Sequence, residues 1–172
     1  MESRRITYLI TLAGSALWCL AIISAPLCAS HGGALKTCGD VLYEFFRPVC
    51  HQMAGRSLMI AGEPLAVCSR CSAVYFSFLL GTLLFPLAQK AWRRLPEGRT
   101  LLLLALLPML LDVFASVLGI HDATETTRLL TGAWLGVLLP FVVLPVAMDG
   151  FTALRVRFSR SHPHFQKGNR NA

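Results

Sequence analysis

Four long apolar stretches, separated by short polar segments, dominate the chain. They run from Ile6 to Leu27, from about Cys71 to Gln89, from Leu101 to Ile120 and from Leu129 to Met148, each bounded by polar or charged residues. A helix needs about 20 apolar residues to cross the hydrocarbon core of a bilayer. The expected fold class is therefore all-α, a polytopic membrane protein with four transmembrane helices. Pro86, Pro108, Pro140 and Pro145 fall inside or near the ends of these spans, where neighbouring helices can take up the carbonyls that proline frees.

The connection between the first two spans, residues 28–70, has a pattern of its own. His31-Gly32-Gly33 forms a flexible exit from the first span. Val41, Leu42, Phe45, Phe46 and Val49 then recur at helical spacing, with Asp40, Tyr43, Glu44 and Arg47 opposite. This predicts a short amphipathic helix in the first outer loop, ended by Pro48, that lies at the membrane surface and caps the bundle. Leu58 to Val67, interrupted by Gly62-Glu63-Pro64, predicts a turn that returns the chain to the membrane. After the fourth span, residues 150–172 alternate basic and apolar positions to about Ser161 and then become polar, which suits a helix end on anionic lipid.

Composition agrees with the pattern. The chain has 172 residues, of which 55% are hydrophobic and 15% charged, and its mean hydropathy is +0.58. Soluble domains are roughly a quarter charged, so a soluble enzyme and a disordered protein are both disfavoured, and the short loops leave no room for a large extramembrane domain. The formal charge is +7, and its distribution sets an orientation. Arg4, Arg5, Lys90, Arg93, Arg94, Arg99, Arg155, Arg157, Arg160, Lys167 and Arg170 fall on one side, against Lys36, Arg47, Arg56, Arg70 and Arg128 on the other. The positive-inside rule then predicts a multi-pass protein of the inner (plasma) membrane with both termini cytoplasmic and residues 28–70 outside. A cleaved signal peptide is the competing reading of the start, but Ile6 to Pro26 exceeds the usual 7–15 residue apolar region of such a peptide. The basic excess points to lipid headgroups as the partner, since no nucleic-acid motif is present.

Six cysteines remain to be explained: Cys19, Cys28, Cys38, Cys50, Cys68 and Cys71. Cys19 lies mid-span, where a small polarizable hydrophobe is the simplest role. The notable grouping is Cys50-His51-Gln52, then Arg56-Ser57, then Cys68-Ser69-Arg70-Cys71. A Cys-x-x-Cys pair presents two sulfurs on one side of a turn, at a separation suited to tetrahedral coordination. Cys50 and His51 would complete the set, so Cys50, His51, Cys68 and Cys71 are the candidate metal ligands and zinc the expected ion. Two other chemistries use the same residues. A Cys-x-x-Cys at a helix N-terminus, beside Arg70, also makes reactive redox thiols. The layout is similar to the quinone-linked disulfide-generating membrane oxidoreductases, although the second outer loop here, Gly119 to Arg128, has no cysteine. A static disulfide such as Cys38–Cys50 would simply staple the loop.

Asp112 is the second informative position. Counted at 1.5 Å per residue, it lies about 16 Å from the inner end of its span and about 12 Å from the outer end. An ionisable group at that depth marks a functional site by default, here a polar site with Arg56, Arg70 and Arg128, or a component of a small transporter or channel. Arg128 is its expected partner. Gly132 and Gly136 form a small-xxx-small face that lets another helix approach closely. His121, Asp122 and Glu125 read as a solvated loop, and His162 and His164 as an isolated His-x-His in the tail.

Together, Phe46-Arg47-Pro48-Val49-Cys50-His51-Gln52, Arg56-Ser57, Gly62, Val67-Cys68-Ser69-Arg70-Cys71 and Tyr75 resemble the pattern of the small prokaryotic membrane proteins of domain-of-unknown-function family 2085. Asp112 and Arg128-Leu129-Leu130-Thr131-Gly132 are similar to that family's later motif. The resemblance covers about Asp40 to Gly136 and departs from the pattern at Ser72-Ala73. It implies a membrane fold and no established activity, and it singles out the same cysteines, histidine, arginines and aspartate.

Overall fold

The structure is a computed structural model that describes residues 2–92, 98–120 and 122–161. Arg93, Arg94, His121, His162, His164, Lys167 and Arg170 lie outside the described residues, as do the side chains of Lys90, Arg155, Arg157 and Arg160.

In order, the elements are α1 (Glu2–Ala29), α2 (Ala34–Phe46), one 3-10 turn (Ala54–Arg56), β1 (Met59–Ile60), β2 (Glu63–Pro64), α3 (Ser69–Trp92), α4 (Gly98–Val117) and α5 (Glu125–Ser161). Among the described residues, α1, α3, α4 and α5 are each long and apolar enough to cross a membrane. Their outward faces carry Leu9, Ile10, Leu17, Leu107, Leu111 and Phe114, all exposed. Apolar residues turned outward along whole helices suit lipid as the surrounding solvent.

Local chemistry sets the helix ends. α4 stops at Val117, short of Ile120, because Gly119 takes φ +70°. Its N–H donates to the Ser116 carbonyl at 3.3 Å, and that of Ile120 to Ala115 at 3.0 Å, the paired bonds of a Schellman cap. α5 starts before Leu129 because the Thr124 hydroxyl accepts the Thr127 N–H at 3.2 Å as an N-cap. β1 and β2 form an antiparallel hairpin whose two turn residues, Ala61 at φ +53° and Gly62 at φ +83°, both take the left-handed backbone of a type I′ turn.

α2 begins earlier than the hydrophobic pattern predicts, and its buried face is narrower. Phe46 is fully buried and Leu42 packs against the core, while Val41, Phe45 and Val49 are exposed. The orientation of α2 is fixed at Gly39, where a Cβ would come within 2.7 Å of the Ala29 backbone nitrogen and 3.0 Å of the Ala25 carbonyl. The backbone of α2 therefore lies directly on α1, and only the positions facing that contact are covered.

α5 packs closely against α3. A Cβ on Gly132 would meet the Arg70 carbonyl oxygen at 2.6 Å, and one on Gly136 would collide with the Val74 carbonyl oxygen. Gly81 of α3 returns the contact against Val137 and Pro140. The partner of the Gly132/Gly136 face is thus α3 of the same chain. Pro108 in α4 frees the Leu104 carbonyl four residues earlier, and the Trp134 indole N–H of α5 donates to that oxygen at 3.2 Å. Alternating helix directions bring the end of α1, α2, the hairpin and the starts of α3 and α5 to one end of the bundle. Arg4 and Asp149 pair at 3.0 Å toward the other.

The α3–α5 contact predicts the effect of small changes. Gly136→Ala forces its methyl group against backbone that cannot yield, and overpacking of this kind costs about 1–3 kcal/mol. The melting temperature in detergent should fall, whereas Gly14→Ala, where nothing lies within 4 Å, should leave it unchanged or slightly raised.

Candidate metal centre

The loop after α2 is tied together before it reaches the sulfurs. The Val49 and Cys50 N–H groups both donate to the Phe46 carbonyl at 3.0 Å, which turns the chain inward. Cys50 enters an apolar cluster with Ile22, Ala25, Phe46, Leu65, Ala66 and Val67. Two residues on, Gln52 takes φ +51°, an unfavourable backbone for a residue other than glycine. Its side-chain Nε2 donates to the Tyr43 carbonyl at 2.6 Å and the Ala66 carbonyl at 2.9 Å, joining α2 to the segment that leads into α3. The Tyr43 hydroxyl donates to the Pro64 carbonyl at 2.5 Å. Burial, followed by Glu63 and Asp40, pushes the Tyr43 pKa up, so the phenol that makes this bond stays protonated through neutral pH. Its contribution is lost only as pH rises through the elevated folded-state value.

Cys50, Cys68 and Cys71 place their sulfur atoms within 4.8 Å of one another. The Cys68 backbone N–H donates to Cys50 Sγ at 3.2 Å. The Cys68 thiol is drawn below its ordinary value to about 5, first by the hydrogen bond from the Cys71 thiol. Desolvation opposes this shift, while the backbone N–H of Cys71, the Cys50 thiol and the Arg70 N–H support it. Trp18 and Tyr75 pack behind the cluster, their rings edge to face with centroids 5.7 Å apart. On the other side the three cysteines, His51, Gln52 and Arg56 line a cavity of about 400 Å³. His51 and Arg56 are exposed at its rim, and no His51 nitrogen belongs to the close sulfur group. The four candidate ligands therefore divide into three converged sulfurs and one imidazole on the same cavity.

Arg70 and Asp112 form an ion pair joining α3 to α4, with side chains 20% and 7% exposed. This corrects the expected Asp112–Arg128 pair. Arg70 leaves the first turn of α3 with its own carbonyl pressed against Gly132 of α5, and its side chain reaches Asp112. Arg128 is half-buried near the start of α5 and makes no ion pair among the described residues. The Arg70 Nε is buried without a hydrogen-bond partner. Cys38, a suggested disulfide partner for Cys50, lies instead beside Cys28. Sequence reasoning passed over Gln52 and Tyr43 as contributors. Their only signal was the position of Gln52 beside Cys50-His51.

The Arg70–Asp112 pair yields a double-mutant test. Asp112→Ala leaves a guanidinium uncompensated among apolar side chains, and breaking a buried pair this way costs about 3–5 kcal/mol. Thermal unfolding in detergent should show a large loss for Asp112→Ala. Arg70→Met combined with Asp112→Leu should be clearly more stable than that single variant.

Residues 50–142 match the family described as predicted membrane protein (DUF2085). That span contains Cys50, His51, Cys68, Arg70, Cys71, Asp112 and both glycines of the α5 face. An uncharacterized protein of Methanocaldococcus jannaschii is 32% identical over 145 residues, covering 83% of this chain and 93% of its own length. A second, from Methanothermobacter thermautotrophicus, is 30% identical over 95 residues, covering 54% of this chain and 81% of its own. No solved structure matches. With the family motifs carried on a bundle of apolar helices and the match extending over most of the length of the first relative, the chain belongs to the DUF2085 family of membrane proteins.

Proposed function

We propose that the chain is a plasma-membrane protein carrying one metal ion, zinc by donor set, at the outer end of its helix bundle. The observation that carries this reading is the convergence of three cysteine sulfurs from two separate segments of the chain. Zn–S bonds of about 2.3 Å in a tetrahedron require sulfurs about 3.8 Å apart, and a group confined within 4.8 Å needs little adjustment to meet that. Cys50, Cys68 and Cys71 would supply thiolates, and His51 or water the fourth ligand from the open side of the cavity. Such an ion, when bound, offsets the cost of holding thiolates in an apolar cluster and offers Lewis-acid chemistry at the fourth position. The exterior placement rests on the positive-inside rule applied to the loops, with lipid as the bundle's partner.

The same three sulfurs also support a second reading, thiol–disulfide exchange with a quinone as electron acceptor, because Cys68 and Cys71 lie in mutual contact. One experiment separates the two. Full-length protein purified in detergent without chelator is assayed for bound metals by mass spectrometry, with free thiols counted in parallel. The metal reading expects about one zinc per chain. Zinc affinity should fall at least about tenfold in Cys50→Ser, Cys68→Ser and Cys71→Ser, a weakening of about 1.4 kcal/mol or more each, and by less in His51→Ala. No zinc, iron or copper above background, together with alkylation of Cys68 and Cys71 that tracks quinone supply, would overturn it in favour of redox exchange.

A further inference from the structure

Two cysteines take no part in the sulfur cluster at the cavity. Cys28 lies in the last turn of α1 and Cys38 in the second turn of α2, joined by the short segment Ser30–Gly33. The two helices touch through backbone at this level, since Gly39, next to Cys38, lies against Ala29, next to Cys28. The approach depends on glycine, because a Cβ at position 39 would stand 2.7 Å from the Ala29 nitrogen. Across this contact the Cys38 side chain is a near neighbour of the Cys28 thiol. Both are free thiols, Cys38 exposed and Cys28 half-buried. A disulfide requires Cα atoms about 4.4–6.8 Å apart, and the backbone contact of Gly39 with Ala29 brings the adjacent residues Cys38 and Cys28 toward that range.

We propose that Cys28 and Cys38 are a redox-responsive dithiol that closes to an intramolecular disulfide between α1 and α2, with a soluble low-molecular-weight disulfide as oxidant. Cys38, the more accessible, attacks one sulfur of the oxidant as thiolate. The S–S bond of the oxidant breaks, and one thiol leaves with the proton that Cys38 gave up. The Cys28 thiolate then attacks the Cys38 sulfur of the mixed disulfide and expels the second thiol, which takes the Cys28 proton. Two protein thiols are oxidised and one external disulfide is reduced to two thiols, so electrons and protons balance. The closed form would pin α2, and with it the turn that delivers Cys50, to the first membrane span. The pair is separate from Cys50, Cys68 and Cys71, so this dithiol and the metal site stand or fall independently.

The test uses full-length, zinc-supplemented protein in detergent, treated with oxidised glutathione, then alkylated, digested and mapped by mass spectrometry. The expected result is loss of alkylation at both Cys28 and Cys38 and appearance of one peptide pair linked Cys28–Cys38, reversed by reductant. In Cys28→Ser the glutathione adduct should persist on Cys38, having no thiol to resolve it. Three results would overturn the proposal: both cysteines still alkylated in the wild type, stable glutathione adducts on both, or Cys38 linked to Cys50. Because the decisive map is made on the wild-type protein, it stands even if a serine variant fails to fold.

Discussion

Within a bilayer, lipid tails are as apolar as the helices, so burial gives helices little reason to associate, and close backbone packing has to supply it. In this chain that contact is between α3 and α5. Gly132 and Gly136 let α5 rest on the Arg70 and Val74 carbonyls, and Gly81 lets α3 reply near Pro140. The end of the bundle that holds the three clustered cysteines is built on this contact. α3 carries Arg70 and Cys71 in its first turn, and α5 fixes where that turn sits. With the Arg70 backbone held against Gly132, its guanidinium extends to Asp112 and so connects α4 to the same end.

The sulfur cluster has two unlike sides. Behind it stand Ile22, Phe46 and Val67, all fully buried, with the rings of Trp18, Phe46 and Tyr75 meeting edge to face. That apolar wall disfavours bare charge on sulfur. At Cys68 the hydrogen bond from the Cys71 thiol favours it. An open side toward His51 and Arg56 leaves an approach for a small ligand. A closed wall, a hydrogen-bond donor at sulfur and one accessible face set these cysteines apart from buried cysteines that only fill space.

Much of this was legible in the sequence, for reasons that can be located. The spans follow from hydropathy alone, because no other structure satisfies backbone polar groups over 20 apolar residues. Their ends depend on caps such as Gly119 and Thr124, which hydropathy does not weigh. Cys50, Cys68 and Cys71 stood out by spacing, and the geometry brings them together. The partner of Asp112 was not legible, because it depends on the rotation of α3 about its axis, which the contact with Gly132 sets. In α2, residues 42 and 46 form one apolar stripe and 41 and 45 the next. Periodicity cannot choose between neighbouring stripes, whereas the contact of Gly39 with α1 does. The meeting of Cys28 and Cys38 was hidden likewise, since a separation in sequence says nothing about how a four-residue connection folds two helices together.

The left-handed backbone at Gln52 reaches further than its own residue. A strained φ persists only where the surroundings over-determine it, and here one side chain bonded to two distant carbonyls, those of Tyr43 and Ala66, does so. The entropy of shaping the segment between Cys50 and Cys68 is thus settled when the chain folds. In a zinc finger, by contrast, the metal supplies the folding energy, and its removal unfolds the domain. A socket shaped in advance can exchange its occupant without losing its form. For the zinc site proposed above, loading and release would then be local events at the cavity mouth, without refolding of the segment between Cys50 and Cys68.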